Sequence, residues 1–356
     1  MVNYSEFYSN YKIFKFNKVL KALKKKEIIT PIHIRIKPIN VCNHDCWYCA
    51  YRNSNLQLGN RMLEKDMIPF EKLNEITDDI IEMGVKAVTF SGGGEPLLYK
   101  KLPLIIEKLA KGGVKVASLT NGSNLKGNMA EAFKKYGTWI RISLDGYDDE
   151  SYAKARGVKH HAFSQLLKNI IAFTSTNTKC IVGCVFIVDH NNCDHVYELC
   201  LKLKNIGVKN VKISGVVTGN TAESSQYHLK IKNIVKDQLT KCKNLIGKKF
   251  SIIDHYHDLN TRFNKLYETC PFILYRPVIG ADSKVYTCQD KAYTASGTLG
   301  SIKDISFKKF WFSEETRNKI YKLNPQVLCN HHCMSHSKNM LIHEYLNLNE
   351  DHLYFT

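Results

Sequence analysis

A chain of 356 residues with 44% hydrophobic and 24% charged residues has the makeup of a globular protein, long enough for one large domain or a main domain with a smaller companion. Its longest apolar runs, such as CIVGCVFIV at 180–188, are strand-sized and far short of the ~20 residues of a bilayer-spanning helix, so no membrane span is expected. Lys and Arg outnumber Asp and Glu, 51 to 33, which favours anionic partners; yet stretches such as LKLKNIGVKNVK read as solvated faces, and nucleic acid is not the expected partner.

The first twenty residues lack the basic start and unbroken apolar run of a secretory signal, so a cytoplasmic location is expected. In a reducing compartment the 12 cysteines read as ligands or core fillers rather than as disulfides. Residues 1–30 form a basic helical extension with Ile13, Val19, Leu20 and Leu23 as its apolar face, which caps a sheet more readily than it docks on a membrane.

From 31 to about 217, six short strands (IHIRIKPI, VKAVTF, VKVASLT, WIRISLD, CIVGCVFIV, VKNVKISGVV) alternate with helical stretches. In the first helix Phe70, Leu73, Ile76, Ile80 and Met83 make one apolar stripe, and Gly84 stops it. Such repetition implies right-handed parallel crossovers, hence an α/β barrel or open sheet with its chemistry at the C-terminal ends of the strands. After about 245 the rhythm breaks into short strands, turns and spaced cysteines. The expected division is therefore 1–30, 31–245 and 246–356.

Directly after the first strand stands CNHDCWYC, with thiols at Cys42, Cys46 and Cys49. A [4Fe–4S] cube held by three thiolates keeps one iron open for an outside ligand; a zinc site drawing on His44 is the competing assignment. SGGGEP, 91–96, ends the second strand with glycines that bring backbone amides close to a ligand, and no Lys-Ser/Thr follows as in a nucleoside-triphosphate loop.

Cys-x3-Cys-x2-Cys with Tyr48 before its last cysteine, followed in order by GGEP, resembles the radical S-adenosylmethionine (SAM) superfamily over residues 31–217. The resemblance implies a partial (β/α)6 TIM-type barrel and a [4Fe–4S] cluster on Cys42, Cys46 and Cys49, with SAM chelating the open iron. It also implies Gly92, Gly93, Gly94 and Glu95 at the SAM amine, with Tyr48, Asn121, Ser143 and Asp145 as further SAM or substrate contacts. Arg156 in YAKARG resembles the arginine that pairs with the SAM carboxylate. The chemistry implied is reductive cleavage of SAM to a 5′-deoxyadenosyl radical that abstracts a hydrogen atom, fed by a flavodoxin- or ferredoxin-type reductant.

Beyond the core lie Cys270, Cys288, Cys329 and Cys333, able to fill a second [4Fe–4S] cube or a zinc tetrahedron, with His331, His332 and His336 close by as substitutes for one thiolate. The hairpin GADSKVYTC resembles the C-terminal auxiliary-cluster unit of radical SAM enzymes, in its short twitch form rather than the longer SPASM form, and implies a small α+β domain. Only thirty residues precede the core, where peptide modifiers often carry a leader-binding domain. The expected reaction is thus dehydrogenation of a sugar, aminocyclitol or nucleotide-linked sugar, with the auxiliary cluster as electron acceptor. DHYHDLNTRF supplies His255, His257, Asp258 and Arg262 as candidates for the base.

Other readings stay open: an epimerase with Cys184 as hydrogen donor, a peptide- or nucleic-acid-modifying radical enzyme, and a zinc-stabilised nucleic-acid-binding protein. Cys180, Cys184, Cys193 and Cys200 otherwise read as core filling.

Overall fold

The computed structural model describes residues 8–52, 59–257 and 262–355, apart from the side chains of 222–224. Ten strands form one sheet: β1 (His33–Ile36), β2 (Ala87–Phe90), β3 (Lys115–Thr120), β4 (Gly137–Ser143), β5 (Ile181–Val188), β6 (Asn210–Gly215), β7 (Ser251–Asp254), β8 (Val278–Ile279), β9 (Lys284–Tyr286) and β10 (Thr298–Ser301). β1 to β7 lie side by side in chain order, all parallel, with registers such as His33 to Ala87 and Trp139 to Ile181.

The crossovers are made by α2 (Phe70–Glu82), α3 (Leu102–Lys111), α4 (Gly127–Tyr136), α5 (Asp149–Arg156), α6 (Ala162–Thr174), α7 (Val196–Asn205) and α8 (Lys232–Cys242), after an N-terminal α1 (Asn17–Lys25). Each strand divides its residues by alternation. Ile34 and Ile36, Ile140 and Ile142, and Val211 and Ile213 are buried in the main core. Each such side chain contributes roughly 1.5–3 kcal/mol by burial. The intervening positions Arg35, Arg141 and Lys212 stand on the opposite face, the lumen of the partial barrel, which is therefore built polar.

α5 is positioned most tightly. Asp148 and Ser151 form a reciprocal capping box at its start, and Gly157, at φ +58°, ends it. A Cβ on Gly157 would stand 2.6 Å from the Asp45 carbonyl oxygen, so this helix end is pressed against the three-cysteine loop.

The sheet corrects the expected division of the chain. β7 lies past the boundary near 245 yet pairs with β6 in parallel, while β8 pairs with β1 at the other side and leads through an antiparallel hairpin to β9 and β10. The C-terminal segment thus extends both edges of the barrel sheet. Its helices α9 (Phe307–Trp311), α10 (Glu314–Lys322), α11 (Pro325–Leu328) and α12 (His336–Leu346) pack beside the N-terminal extension, where Trp311 Nε1 donates to the Ile29 carbonyl at 2.8 Å and Tyr275 Oη to that of Ile13 at 3.3 Å. Ile13, Val19 and Leu20 are buried there. No helix of the described residues is long and apolar enough to cross a membrane.

Candidate active site

Glycines shape the three-cysteine loop. A Cβ on Gly94 would stand 2.1 Å from the Val41 carbonyl oxygen, and one on Gly93 2.2 Å from Asn40 Oδ1. Only glycine lets the end of β2 lie against the chain that enters the cysteines. The Glu95 N–H donates to Val41 O at 2.9 Å, and the Asp45 N–H to Arg156 O at 2.8 Å. Cys42, Cys46 and Cys49 are half-buried. Burial pushes the Cys42 thiol up to about 11 and raises that of Cys46 as well, the latter opposed by Arg156, whose Nη1 donates to Cys46 Sγ at 3.5 Å. His44 packs edge-on against Tyr152 with ring centroids 6.0 Å apart.

The structure shows Glu95 in a bracing position at the end of β2. Its carboxylate accepts from the Leu97 N–H (2.9 Å), Thr120 Oγ1 (2.5 Å) and the Asn121 N–H (2.7 Å), so it fastens β2 to β3. Asn121 spends its side chain similarly, donating to Asn43 Oδ1 at 2.9 Å and accepting from Ser123. Asp145 is the hub of a buried network: it accepts from Tyr48 Oη, pairs with Arg156, and takes the Ile187 N–H at 3.0 Å. Burial pushes its carboxyl up, against the pull of Arg156 and Tyr48. Arg156 Nε is buried without a hydrogen-bond partner, so the guanidinium keeps a donor in hand for an anionic group. Ser143 is half-buried at the end of β4.

Cys270, Cys288, Cys329 and Cys333 line one cavity, with His331 and Asn339. Among the described residues no three Cys, His, Asp or Glu side chains form a single-ion site; the four thiols surround a space rather than a point. Asn339 Nδ2 donates to Cys270 Sγ at 3.4 Å, and Lys265 Nζ bonds the carbonyls of Arg262, at 3.0 Å, and Phe263, at 2.5 Å, while its charge faces Cys333 and Cys329. All four thiols are raised by burial, Cys333 to about 12. A donor set of four thiols with an amide N–H on one sulfur and a cation close by fits a cluster of negative charge, as the three-thiol loop beside Arg156 fits the other.

The two cysteine sets are joined. Lys37, fully buried, donates to Tyr51 Oη and to Gly92 O, each at 2.6 Å, and Tyr51 Oη reaches Gln289. Tyr51 follows Cys49 by two residues and Gln289 follows Cys288 directly. None of these three is evident from motif spacing, although Arg35 and Lys37 alternating with isoleucines in IHIRIKPI is the mark of a strand with a charged inner face.

Beside this bridge opens a pocket of about 310 Å³, bounded by Tyr48 and Tyr51 of the loop, Val185 and Ile187 of β5, Lys212 and Ser214 of β6, His255 and Arg262 after β7, and Asp290, His331 and His332 of the C-terminal segment. His255 and Arg262 thus line this pocket. His257 does not: it points outward, its Nδ1 2.5 Å from Asp254 Oδ2. Asp258 lies outside the described residues. Cys184 is fully buried between Val185 and Gly183, and since Val185 and Ile187 face the pocket, it faces the other way, which corrects its assignment as a lumen-facing hydrogen donor. Cys242, left out of the sequence reading, is buried and hydrogen-bonded to Cys200. Lys212 is a further correction: read as a solvated lysine, it is 7% exposed.

A parallel partial barrel brings the three-cysteine loop and the glycine-built strand end together at its C-terminal rim. Residues 36–203 match the family described as Radical SAM superfamily. That family works with a [4Fe–4S] cluster and SAM. A curated relative, the S-adenosylmethionine-dependent nucleotide dehydratase of Lacinutrix mariniflava, is 33% identical over 113 residues, 32% of this chain and 23% of that protein. The GTP 3′,8-cyclase of Rhizobium leguminosarum bv. trifolii is 25% identical over 166 residues, 46% of this chain and 45% of that one. The chain therefore spans less than half the length of these relatives. Among solved structures, Streptococcus suis SuiB bound to S-adenosylmethionine superposes with a TM-score of 0.61 at 15% identity, over 88% of this chain and 74% of that one, a likeness of fold.

Proposed function

We propose that the protein oxidises an alcohol of a small sugar-like substrate bound between two iron–sulfur clusters. Cys42, Cys46 and Cys49 would hold the SAM cluster, and Cys270, Cys288, Cys329 and Cys333 a second one, in a unit of the twitch type. Bound there, cluster and SAM supply the 5′-deoxyadenosyl radical that takes a hydrogen atom from carbon. The observation that carries the reading is a pocket lined by sequence neighbours of both cysteine sets, Tyr48 and Ala50 beside Cys49, Gln289 beside Cys288, and His332 and Met334 beside Cys333, with His255 on its wall.

The alcohol then gives up a hydrogen atom from carbon, a proton from oxygen and one electron, and becomes a carbonyl. His255 is held neutral, its pKa pushed down to about 3 by burial and by Lys212, Arg262, Lys338 and Arg141, and its Nδ1 has no hydrogen-bond partner among the described residues, so it is placed to take the proton. The four-cysteine site, fully ligated by thiols, suits the electron. Cations around His255 disfavour the ammonium group of an aminocyclitol and favour a nucleotide-linked sugar. A second reading, dehydration or cyclisation of a nucleotide with no net oxidation, is favoured by the relatives, which by name act on nucleotides or GTP.

The test is incubation of anaerobically reconstituted protein with SAM, a strong reductant and nucleotide-linked sugars deuterated at their carbinol carbons. Oxidation predicts deuterium in 5′-deoxyadenosine and a product lighter by one deuterium and one hydrogen. A product that has lost water, or kept its mass, supports the second reading; SAM cleavage without deuterium transfer from any of them counts against both.

A further inference from the structure

Resting on the reading of the pocket as the substrate site, we infer that Lys212 of β6 anchors a phosphoryl group of the substrate. Four other buried cations of this region have hydrogen-bonded or ionic partners. Arg156 has Asp145, Lys37 has Tyr51 Oη and Gly92 O, Lys265 has three backbone carbonyls, and Lys291 donates to Leu328 O at 2.7 Å. Lys212 has neither a hydrogen bond nor an ion pair among the described residues, and it lines the pocket at 7% exposure.

Its charged surroundings are cations. Burial, then Arg141, Arg262, Lys338 and Arg35, push its pKa down to about 7, with no anion of the described residues among its causes. Asp290, the acid on the pocket wall, accepts from the Met334 N–H at 2.8 Å and is turned toward Arg276, Arg35 and Lys265. A buried cation among cations opposes folding unless it is retained for a ligand.

The neighbouring inward position on the same strand decides the kind of anion. Ser214 Oγ is buried without a hydrogen-bond partner among the described residues, as is His255 Nδ1. A lysine, a serine hydroxyl and an imidazole converging on one space call for a ligand with several acceptor oxygens. One carboxylate offers two; a phosphoryl group offers three with greater charge, and its pairing with Lys212 lifts the cationic pressure on His255 and restores basicity to the proposed proton acceptor.

The probes are inorganic phosphate and pyrophosphate, titrated against anaerobic, cluster-loaded protein by calorimetry and thermal shift, with chloride at equal ionic strength as control. Wild type is expected to bind saturably and gain Tm. Lys212→Gln should bind about tenfold more weakly or worse and, having lost an uncompensated buried charge, melt higher than wild type without ligand. Lys212→Arg should keep most of the affinity, and Lys232→Gln on the exposed face of α8 should change nothing. Absence of saturable binding to wild type, equal binding by Lys212→Gln, or a lower ligand-free Tm in that variant overturns the anchor. Deuterium transfer from an alcohol lacking phosphate, unaffected by Lys212→Gln, would sink the anchor and leave the oxidation standing. Lys212-dependent phosphate binding without deuterium transfer from any alcohol would do the reverse.

Discussion

Arg156 and Asp145 illustrate how residues singled out by resemblance can have partners that the sequence does not show. Sequence resemblance brings Tyr48, Asp145 and Arg156 to the site, and the structure brings them together, but with one another: Tyr48 Oη and Arg156 both meet the Asp145 carboxylate. That pairing depends on α5 ending at Gly157 against Asp45, a tertiary fact with no local signature. Arg156 and Asp145 are both nearly inaccessible, so removing one partner strands the other as a buried charge. Arg156→Met should cost about 3–5 kcal/mol in urea unfolding, and adding Asp145→Leu should recover part of that loss; a single variant as stable as wild type would contradict the pairing. Lys212 is the opposite case. In LKLKNIGVKNVK it looks like its exposed neighbours, because lysine carries the same letter on a helix face and on the inner face of a strand.

At the scale of elements, alternating strands and helices were legible because apolar spacing is local, and the motifs fell at strand ends as a parallel fold requires. The strands β7 and β8 were not, being four and two residues long and paired with strands distant in the chain. SGGGEP was legible as a close-approach segment, but its partner was not: the glycines make room for the chain at Asn40 and Val41. Gly94→Ala should therefore displace the cysteine loop, since backbone oxygens 2.1 and 2.3 Å from the new Cβ cannot swing aside. Iron bound after anaerobic reconstitution should fall by about half, one cube of two, whereas Gly247→Ala, which meets nothing within 4 Å, should retain full iron. Full iron in Gly94→Ala would show that the loop tolerates the shift.

For the whole molecule, the positive charge is not confined to the surface, and this has a consequence for pH. His33 and His255 are held below their ordinary value of 6.5 by burial and then by neighbouring cations, His255 to about 3. As pH falls below about 6.5 the unfolded chain takes up protons that the folded chain refuses until its lower pKa, so stability falls with pH across that window. Each such histidine costs at most about 1.4 kcal/mol per pH unit, less for His255 with its partial solvent screening. Asp145 and Asp290, pushed up by burial, act in the opposite sense, so His255→Gln is the informative comparison. Its Tm should decline less steeply than that of wild type from pH 7 to pH 5; parallel declines would show that His255 is not under that pressure.

The central claim is that one pocket lies between two iron–sulfur clusters held by separate cysteine sets. Its most direct test is iron and zinc content, with the electron paramagnetic resonance spectrum, of anaerobically reconstituted wild type, the Cys42/Cys46/Cys49→Ala variant and the Cys270/Cys288/Cys329/Cys333→Ala variant. Two cubes predict about eight irons per chain in wild type and about four in each variant, with a SAM-sensitive signal lost only in the first. Zinc in place of iron, or a four-cysteine variant with undiminished iron, would contradict the account.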